Sequence, residues 1–278
     1  MLPFERRISM KKLVLHSTDI LNQKLMLEKD LHNLYRYKNN KVIKIIRYGI
    51  EQETILQKLE SHKIHKVDQL NPHSSLLYPE AVVLDENGYR GYLMDEVVPT
   101  TFSYEADPKE ICNYFKTVEN VMEFGHQEGI IFPDIFSHGN ISYQKENHQV
   151  TFLDFDGWQI KNIPAGTSSN LPEYNEEIRS NPRFKANGLY TKNFDRLLLL
   201  QQFLYALTKI DLFQKENIQA QLNQIYQMLN LEDDIAIQSN IDRIFNFQAE
   251  ENIPRIGPII CAIERQLNKS KKTLQKKM

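Results

Sequence analysis

Cysteine is nearly absent from this 278-residue chain, which carries only Cys112 and Cys261. Two thiols so far apart neither build a disulfide framework nor form the close pair of a zinc site, and such sparing use of cysteine fits a reducing, cytoplasmic setting. An excess of one charge is also missing. With 34 Lys+Arg against 36 Asp+Glu the formal net charge is −2, which excludes nucleic-acid binding through bulk positive charge, although a local basic groove stays compatible. No nucleic-acid partner is expected. Long apolar runs are lacking as well: Leu197–Leu200 and Ile256–Ile263 fall far short of the roughly 20 residues a membrane-spanning helix needs, so no membrane partner is expected. The N-terminus offers no apolar signal core, since Pro3, Glu5, Arg6 and Arg7 precede Met10-Lys11-Lys12, and Met10 is a candidate start. The histidines, His138 included, show no ligand spacing for a metal.

What is present is an ordinary globular composition, 41% hydrophobic and 25% charged, in a chain long enough for one sizeable core or two smaller ones. The first third reads as strand, strand, helix, strand, strand. Leu34–Tyr37 and Val42–Ile46 are β-rich runs joined by the polar Lys38-Asn39-Asn40-Lys41, which suits a hairpin turn. Ile55, Leu56 and Leu59 recur at helical spacing and predict an amphipathic helix over 51–62. Ala81–Leu84 and Tyr89–Met94 follow, linked by the turn signal Asp85-Glu86-Asn87-Gly88. After Asp95-Glu96-Val97-Val98-Pro99 the pattern turns helical: Ile111, Phe115, Val118, Val121, Met122 and Gly125 trace one face of a helix running to about Gly129. Two short strands, Ile141–Tyr143 and Val150–Asp154, interrupt the helices. A long loop from about Gly157 to Gly188 is rich in Pro, Asn, Ser and Gly, and a loop of that length is usually functional or mobile. Phe194–Leu207 is apolar nearly all round and predicts a buried helix, and Lys269–Lys277 reads as a Lys-rich frayed helix with a solvated face.

Four polar segments sit where strands end or loops begin: Lys44 inside Val42-Ile43-Lys44-Ile45, Asp134 after Phe132-Pro133, Asn140 after His138-Gly139, and Asp154 in Leu153-Asp154-Phe155-Asp156-Gly157. A carboxylate just past an apolar strand, with a second carboxylate and an Asn carbonyl shortly before it, is a hard-oxygen set suited to Mg²⁺, which keeps one or two protein ligands and takes phosphate oxygens. Asp134 could accept a proton from an attacking hydroxyl while a distant lysine neutralises phosphate charge. Taken alone each residue has a plainer reading: a strand lysine usually lies on the solvated face, and Asp154 or Asn140 could simply serve a turn.

Taken together they resemble the protein-kinase-like superfamily over nearly the whole chain. The resemblance implies an α+β, two-lobed fold, with a β-rich N-lobe at 1–94, a hinge at 95–98 and a mainly helical C-lobe at 99–278. Val42-Ile43-Lys44 is similar to the family's Val-Ala-Ile-Lys, Phe132-Pro133-Asp134…Asn140 to its His-Arg-Asp…Asn catalytic loop, and Asp154-Phe155-Asp156 to its Asp-Phe-Gly metal motif. The implied roles are phosphate contact for Lys44, catalytic base for Asp134, Mg²⁺ ligands for Asn140 and Asp154, and ATP pocket for Met94 with the Asp95 and Val97 backbones reading an adenine edge. Asp195 resembles the family's structural Asp, which ties down the catalytic-loop backbone, and the segment Thr167–Tyr174, with Leu171-Pro172-Glu173-Tyr174, takes the place of an activation or substrate loop. Thr167, Ser168 and Ser169 are phosphosites by position alone.

The departures are equally definite. No glycine lies in Leu25–Tyr35 to cradle phosphates, His-Arg is replaced by Phe132-Pro133, the Asp134-to-Asn140 loop is one residue longer, and Asp156 replaces the motif glycine. Asp156 is either a third metal-site carboxylate or a cap of the turn before Trp158, and Trp158 with Phe155 reads as packing rather than base stacking. The family's glutamate partner for the lysine falls at Glu51, Gln52 or Glu53, of which Glu53 is preferred. Three functions follow: an ATP- and Mg²⁺-dependent kinase with a protein Ser/Thr substrate; a pseudokinase that binds or scaffolds; or a small-molecule kinase of the aminoglycoside or choline type, against which the Pro172-Glu173-Tyr174 segment stands.

Overall fold

The computed structural model describes residues 11–28, 32–46, 49–61, 75–97, 100–137, 139–165, 178, 180–213 and 217–277. The first part contains β1 (Lys11–Val14), α1 (Ser17–Leu21), β2 (Lys24–Glu28), β3 (His32–Tyr37), β4 (Lys41–Ile46), α2 (Gly49–Ser61), β5 (Ser75–Leu76), β6 (Ala81–Asp85) and β7 (Gly88–Asp95). There follow α3 (Pro108–Gln127), β8 (Ile130–Ile131), β9 (Ile141–Gln144), β10 (Gln149–Phe152), a 3₁₀ turn (Phe155–Gly157), β11 (Gln159–Ile160), β12 (Lys185–Ala186) and β13 (Leu189–Tyr190). The chain then closes with α4 (Lys192–Thr208), α5 (Ile218–Met228), α6 (Ile235–Phe245) and α7 (Gly257–Lys277). It is an α+β chain, with a β-rich N-terminal sheet and a helical C-terminal part.

The N-terminal sheet has the order β1-β6-β7-β4-β3-β2. The β3–β4 turn falls at the expected residues: Tyr37 pairs with Lys41 across three turn residues, of which Asn39 and Asn40 both take positive φ, +58° and +56°, a conformation asparagine tolerates better than most side chains. Six strands stand where the pattern predicts four. β1 and β2 lie at the sheet's edges with side chains mostly exposed, Leu25, Met26 and Leu27 in succession among them, so neither shows the buried/exposed alternation that betrays a strand. The glycine-free stretch Leu25–Tyr35 falls in the β2–β3 hairpin, whose tip lies outside the described residues.

Each face of the sheet has its own core. Ile43, Ala81, Val83 and Leu93 pack with Ile20 and Tyr35 on one face. Val82, Tyr92 and Ile46 join Ile55, Leu56 and Leu59 of α2 and the main core on the other. Because a strand alternates its side chains, this split puts Lys44, between Ile43 and Ile45, on the inner face with Val42 and Ile46.

The long helix α3 starts at Pro108, with the Asp107 carboxylate accepting from the N–H groups of Lys109 (2.9 Å) and Glu110 (3.2 Å), so the first-turn donors are satisfied. Its buried face is the expected one, from Ile111 to Gly125. α4 is buried nearly all round, as its unbroken apolar run requires. α7 buries Ile259, Ile260 and Ile263 in its first half and carries on into the Lys-rich run, which is therefore the end of a long helix and not a separate one. No helix among the described residues is long and apolar enough to cross a membrane.

Candidate active site

Lys44 is buried, not solvated. Its strand position aims it inward, and its Nζ donates to Asp154 Oδ1 and Asp156 Oδ1, both at 2.6 Å. Burial pushes the amine down, but the two carboxylates outweigh it and the net shift is upward, which keeps Lys44 an ammonium. Directly opposite in the β4–β7 ladder stands Tyr92, fully buried, whose hydroxyl donates to the same Asp156 Oδ1 at 2.6 Å. Burial, reinforced by the Asp156 charge, raises the Tyr92 pKa far above its usual value and keeps it a donor. The close approach of the strands depends on Gly91: a Cβ there would lie 1.9 Å from the Lys44 carbonyl oxygen.

The β9–β10 hairpin brings Asn140 and Asp154 together. Its register pairs Ile141 with Phe152, and one residue further on the Leu153 N–H donates to the Asn140 carbonyl at 2.8 Å. Asp154 follows in a left-handed conformation, φ +60° and ψ 55°, uncommon for a residue with a side chain and a mark of sites where surrounding structure imposes the geometry. That surrounding structure is aromatic. Phe155 packs edge-on against Tyr92, Tyr78 and Trp158, and the Trp158 indole N–H donates to the Leu153 carbonyl at 3.0 Å. Trp158 is therefore packing, as the sequence suggests. Partial burial and the Asp156 charge push the Asp154 carboxyl upward against the pull of Lys44.

Asp134 reaches the same place from the loop after β8. A Cβ built on Gly157 would sit 3.1 Å from Asp154 Oδ2 and 4.0 Å from the Asp134 Cβ, so the two acids flank one glycine. Ser137 donates its hydroxyl to Asp134 Oδ1, and Asn140 Nδ2 donates to the Asp134 carbonyl at 2.7 Å. This commits the amide nitrogen to the Asp134 loop and identifies the other amide atom of Asn140 as the oxygen, an acceptor. Behind the loop, the wholly buried Asp195 of α4 accepts from the Phe132 N–H at 2.9 Å and meets His126 Nε2 at 2.8 Å. Asp195 thus holds the backbone of the loop that leads to Asp134. Gly125 clears the way, since a Cβ there would lie 2.3 Å from the Phe132 ring.

Glu53 does not come to Lys44: it lies exposed on α2, while the ion pairs of Lys44 among the described residues are to Asp154 and Asp156. The Glu51 side chain lies outside the described residues. The physical reason is register, since the buried face of α2 carries Ile55, Lys58 and Leu59, and three to four residues separate neighbours on a helix face. Lys58, fully buried, donates to the Asp156 carbonyl at 2.7 Å. The Asp156 carboxylate is a partner of Lys44 and Tyr92. Met94 shares the inner sheet face, half-buried against the main core, and Val97 is half-buried. The Asp95 carboxylate pairs outward with Lys41 Nζ at 2.6 Å. Glu96 N–H donates to Asn40 O at 2.8 Å. Ladder groups alternate, so the backbone polar groups of Asp95, opposite Lys41, point away from β4. Thr167–Ser169 and the Leu171–Tyr174 segment lie outside the described residues.

No family model and no curated protein matches the chain. Among solved structures it is similar to one described as "Titin kinase and its flanking domains", with a TM-score of 0.57 at 19% identity, covering 94% of this chain and 51% of that one. The fold is protein-kinase-like. The likeness spans nearly all of this chain but about half the length of its neighbour, and at that identity it is a likeness of fold. Within the fold, the sheet with Lys44 lies on one side of the acid cluster, and the Asp134 and Asn140 loop with the Asp154 turn on the other.

Proposed function

We propose that the chain is an ATP- and Mg²⁺-dependent phosphotransferase that moves the γ-phosphoryl group to a Ser or Thr hydroxyl of a protein, in the cytoplasm. The observation that carries this reading is the convergence of Lys44, Asp154, Asn140 and Asp134, from four separate segments, on one cluster. The lobes would be 1–94 and 99–278, joined by a hinge at 95–98, with Met94 behind the adenine and the Asp95 and Val97 backbones along its edge. The donor set fits Mg²⁺: hard oxygens from the Asp154 carboxylate and the Asn140 amide leave the remaining positions for phosphate oxygens and water. Mg²⁺, when bound, supplies charge neutralisation and orientation of the phosphates. Lys44 meets the α/β-phosphates through its ammonium. Asp134, held by Ser137 and Asn140, orients the acceptor hydroxyl and takes its proton as the oxygen attacks. Catalysis is then mainly positioning and charge neutralisation.

One observation favours a second reading, a pseudokinase that binds without turnover. Asp154, the carboxylate that would hold the metal, is already engaged by Lys44 at 2.6 Å. Thermal unfolding with ATP, with and without Mg²⁺, separates the two. Ligand at 100 times its Kd stabilises by about 2.7 kcal/mol, which for a domain of this size is roughly 5–10 °C in Tm. The expected result is a Mg²⁺-dependent rise of that order, lost in Asp154→Ala, together with ADP formation. A shift indifferent to Mg²⁺, or one retained by Asp154→Ala, refutes the assignment. Binding without ADP formation selects the pseudokinase.

A further inference from the structure

Lys44 has two carboxylate partners at the same distance, yet in the proposed reaction Asp154 must serve Mg²⁺. Only one counter-ion then stays with the lysine. Asp156 is built for that part, because its Oδ1 is fixed by the buried Tyr92 hydroxyl from the strand beside Lys44 and its main chain is held by Lys58. Among the described side chains of the helix that packs against this site, the one that reaches it is a base: Lys58 lies on the buried face with Ile55 and Leu59, while Glu53 is exposed. Both lysines find an acceptor on the same residue, Lys44 the Asp156 carboxylate and Lys58 the Asp156 carbonyl. The loop has gained the acid at the position where the resemblance puts glycine.

We propose that Asp156 is the positioning residue of Lys44, and that Lys58 docks α2 onto it, so that the counter-ion of the phosphate-binding lysine comes from the metal loop and not from the helix. This rests on the phosphotransferase reading above. A single residue then couples the sheet lysine, α2 and the Asp154 turn: displacing Asp156 disturbs all three, whereas removing the exposed Glu53 disturbs none.

The test has two arms. In the first, Mg²⁺-ATP affinity is titrated for the full chain and for Asp156→Asn, Asp156→Glu, Lys58→Met and Glu53→Gln, and for Asp156→Asn combined with Lys44→Met. Asp156→Asn should weaken binding about tenfold or more, Asp156→Glu should recover part of the loss, and Lys58→Met should weaken binding by a smaller factor. Glu53→Gln should bind as the parent does, and in the Lys44→Met background Asp156→Asn should add less than about twofold, because the two act as one unit. The second arm measures the Lys44→Met/Asp156→Asn coupling in urea unfolding without nucleotide, where non-additivity is expected. Parent-like binding by Asp156→Asn, additive effects in either arm, or a loss in Glu53→Gln overturns the inference. If the parent chain binds no Mg²⁺-ATP while the unfolding coupling is present, the phosphotransferase reading has failed and this role falls with it. If the parent binds and the coupling is absent, the inference alone has failed.

Discussion

Replacing Asp195 by Ala removes an acceptor that no solvent can replace. The side chain is wholly buried at the start of α4, and its Oδ2 takes the Phe132 N–H at 2.9 Å and His126 Nε2 at 2.8 Å. Burial pulls the His126 pKa down, but its contacts with Asp195 and Glu123 outweigh this and raise it. Asp195→Ala therefore leaves the buried Phe132 amide and the buried His126 Nε2 without the partner they share. Breaking a buried ion pair from one side costs about 3–5 kcal/mol, out of a total stability on the order of 5–15 kcal/mol. At about 2–4 °C per kcal/mol for a domain of this size, Tm should fall by roughly 6–20 °C. Asp195→Asn keeps a neutral acceptor for Phe132 and loses chiefly the charge, so its cost should stay near 1–2 kcal/mol. Differential scanning fluorimetry and urea unfolding of both variants make the comparison. The functional arm is sharper: Phe132 lies two residues before Asp134, whereas Lys44 and Asp154 are held by other elements, so turnover should drop while Mg²⁺-ATP affinity stays near the parent value. An Ala variant within about 2 °C of the parent, or an Asn variant as damaged as Ala, refutes the reasoning.

Two further predictions concern the supports of the site. The groups facing His126 are Asp195, Glu123 and, through Glu123, Arg196, whose Nε and Nη2 donate to Glu123 at 2.7 and 2.8 Å. A raised histidine pKa contributes stability that is full below the unfolded value of about 6.5 and is lost as pH rises through the folded value; Glu123, despite the opposing effect of burial, is held down to about 2 by His126 and Arg196, and its contribution is present above the unfolded carboxylate range and lost as pH falls toward 2. Urea unfolding should therefore show stability falling from about pH 6.5 upward, and His126→Gln should remove that slope; an unchanged slope in the variant would count against the charged pair. Gly91→Ala should cost at least the upper end of the about 1–3 kcal/mol typical of overpacking, because the Lys44 backbone, 1.9 Å from the new Cβ, cannot rotate aside, and it should weaken Mg²⁺-ATP binding as well. Parent-like Tm in that variant would mean the strands part without loss.

Much of the architecture was legible because its residues repeat at the period of their element. Ile111 to Gly125 mark the buried side of α3, and Ile55, Leu56 and Leu59 that of α2. The site was legible where short motifs carry hard-oxygen donors, as at Asp134, Asn140 and Asp154. What escaped lies where chemistry and position part company. β1 and β2 have no buried stripe to announce them. Lys44 was legible through its motif, Val42-Ile43-Lys44, whereas its inward direction came only when the two cores assigned the neighbouring residues to opposite faces. The Lys58 contact joins residues 98 positions apart, and no local pattern records such a pairing; the only signal was that Lys58 falls on the same helical face as Ile55 and Leu59.

The geometry of Asp154 shows how the local and the distant parts depend on each other. A left-handed aspartate is unfavourable on its own, and nothing in Leu153-Asp154-Phe155 requires it. Phe155 is driven into the aromatic cluster with Tyr78, Tyr92 and Trp158, while Leu153 is fixed from the other side by its N–H to Asn140 and its carbonyl to the Trp158 indole. With both neighbours held, the backbone of Asp154 has to turn through the left-handed region, and that turn delivers its carboxylate to Lys44. The apolar packing of Phe155 and Trp158 is thus what aims the acid, so the motif works as a unit of aromatic anchor and carboxylate rather than as a lone charge at the end of a strand.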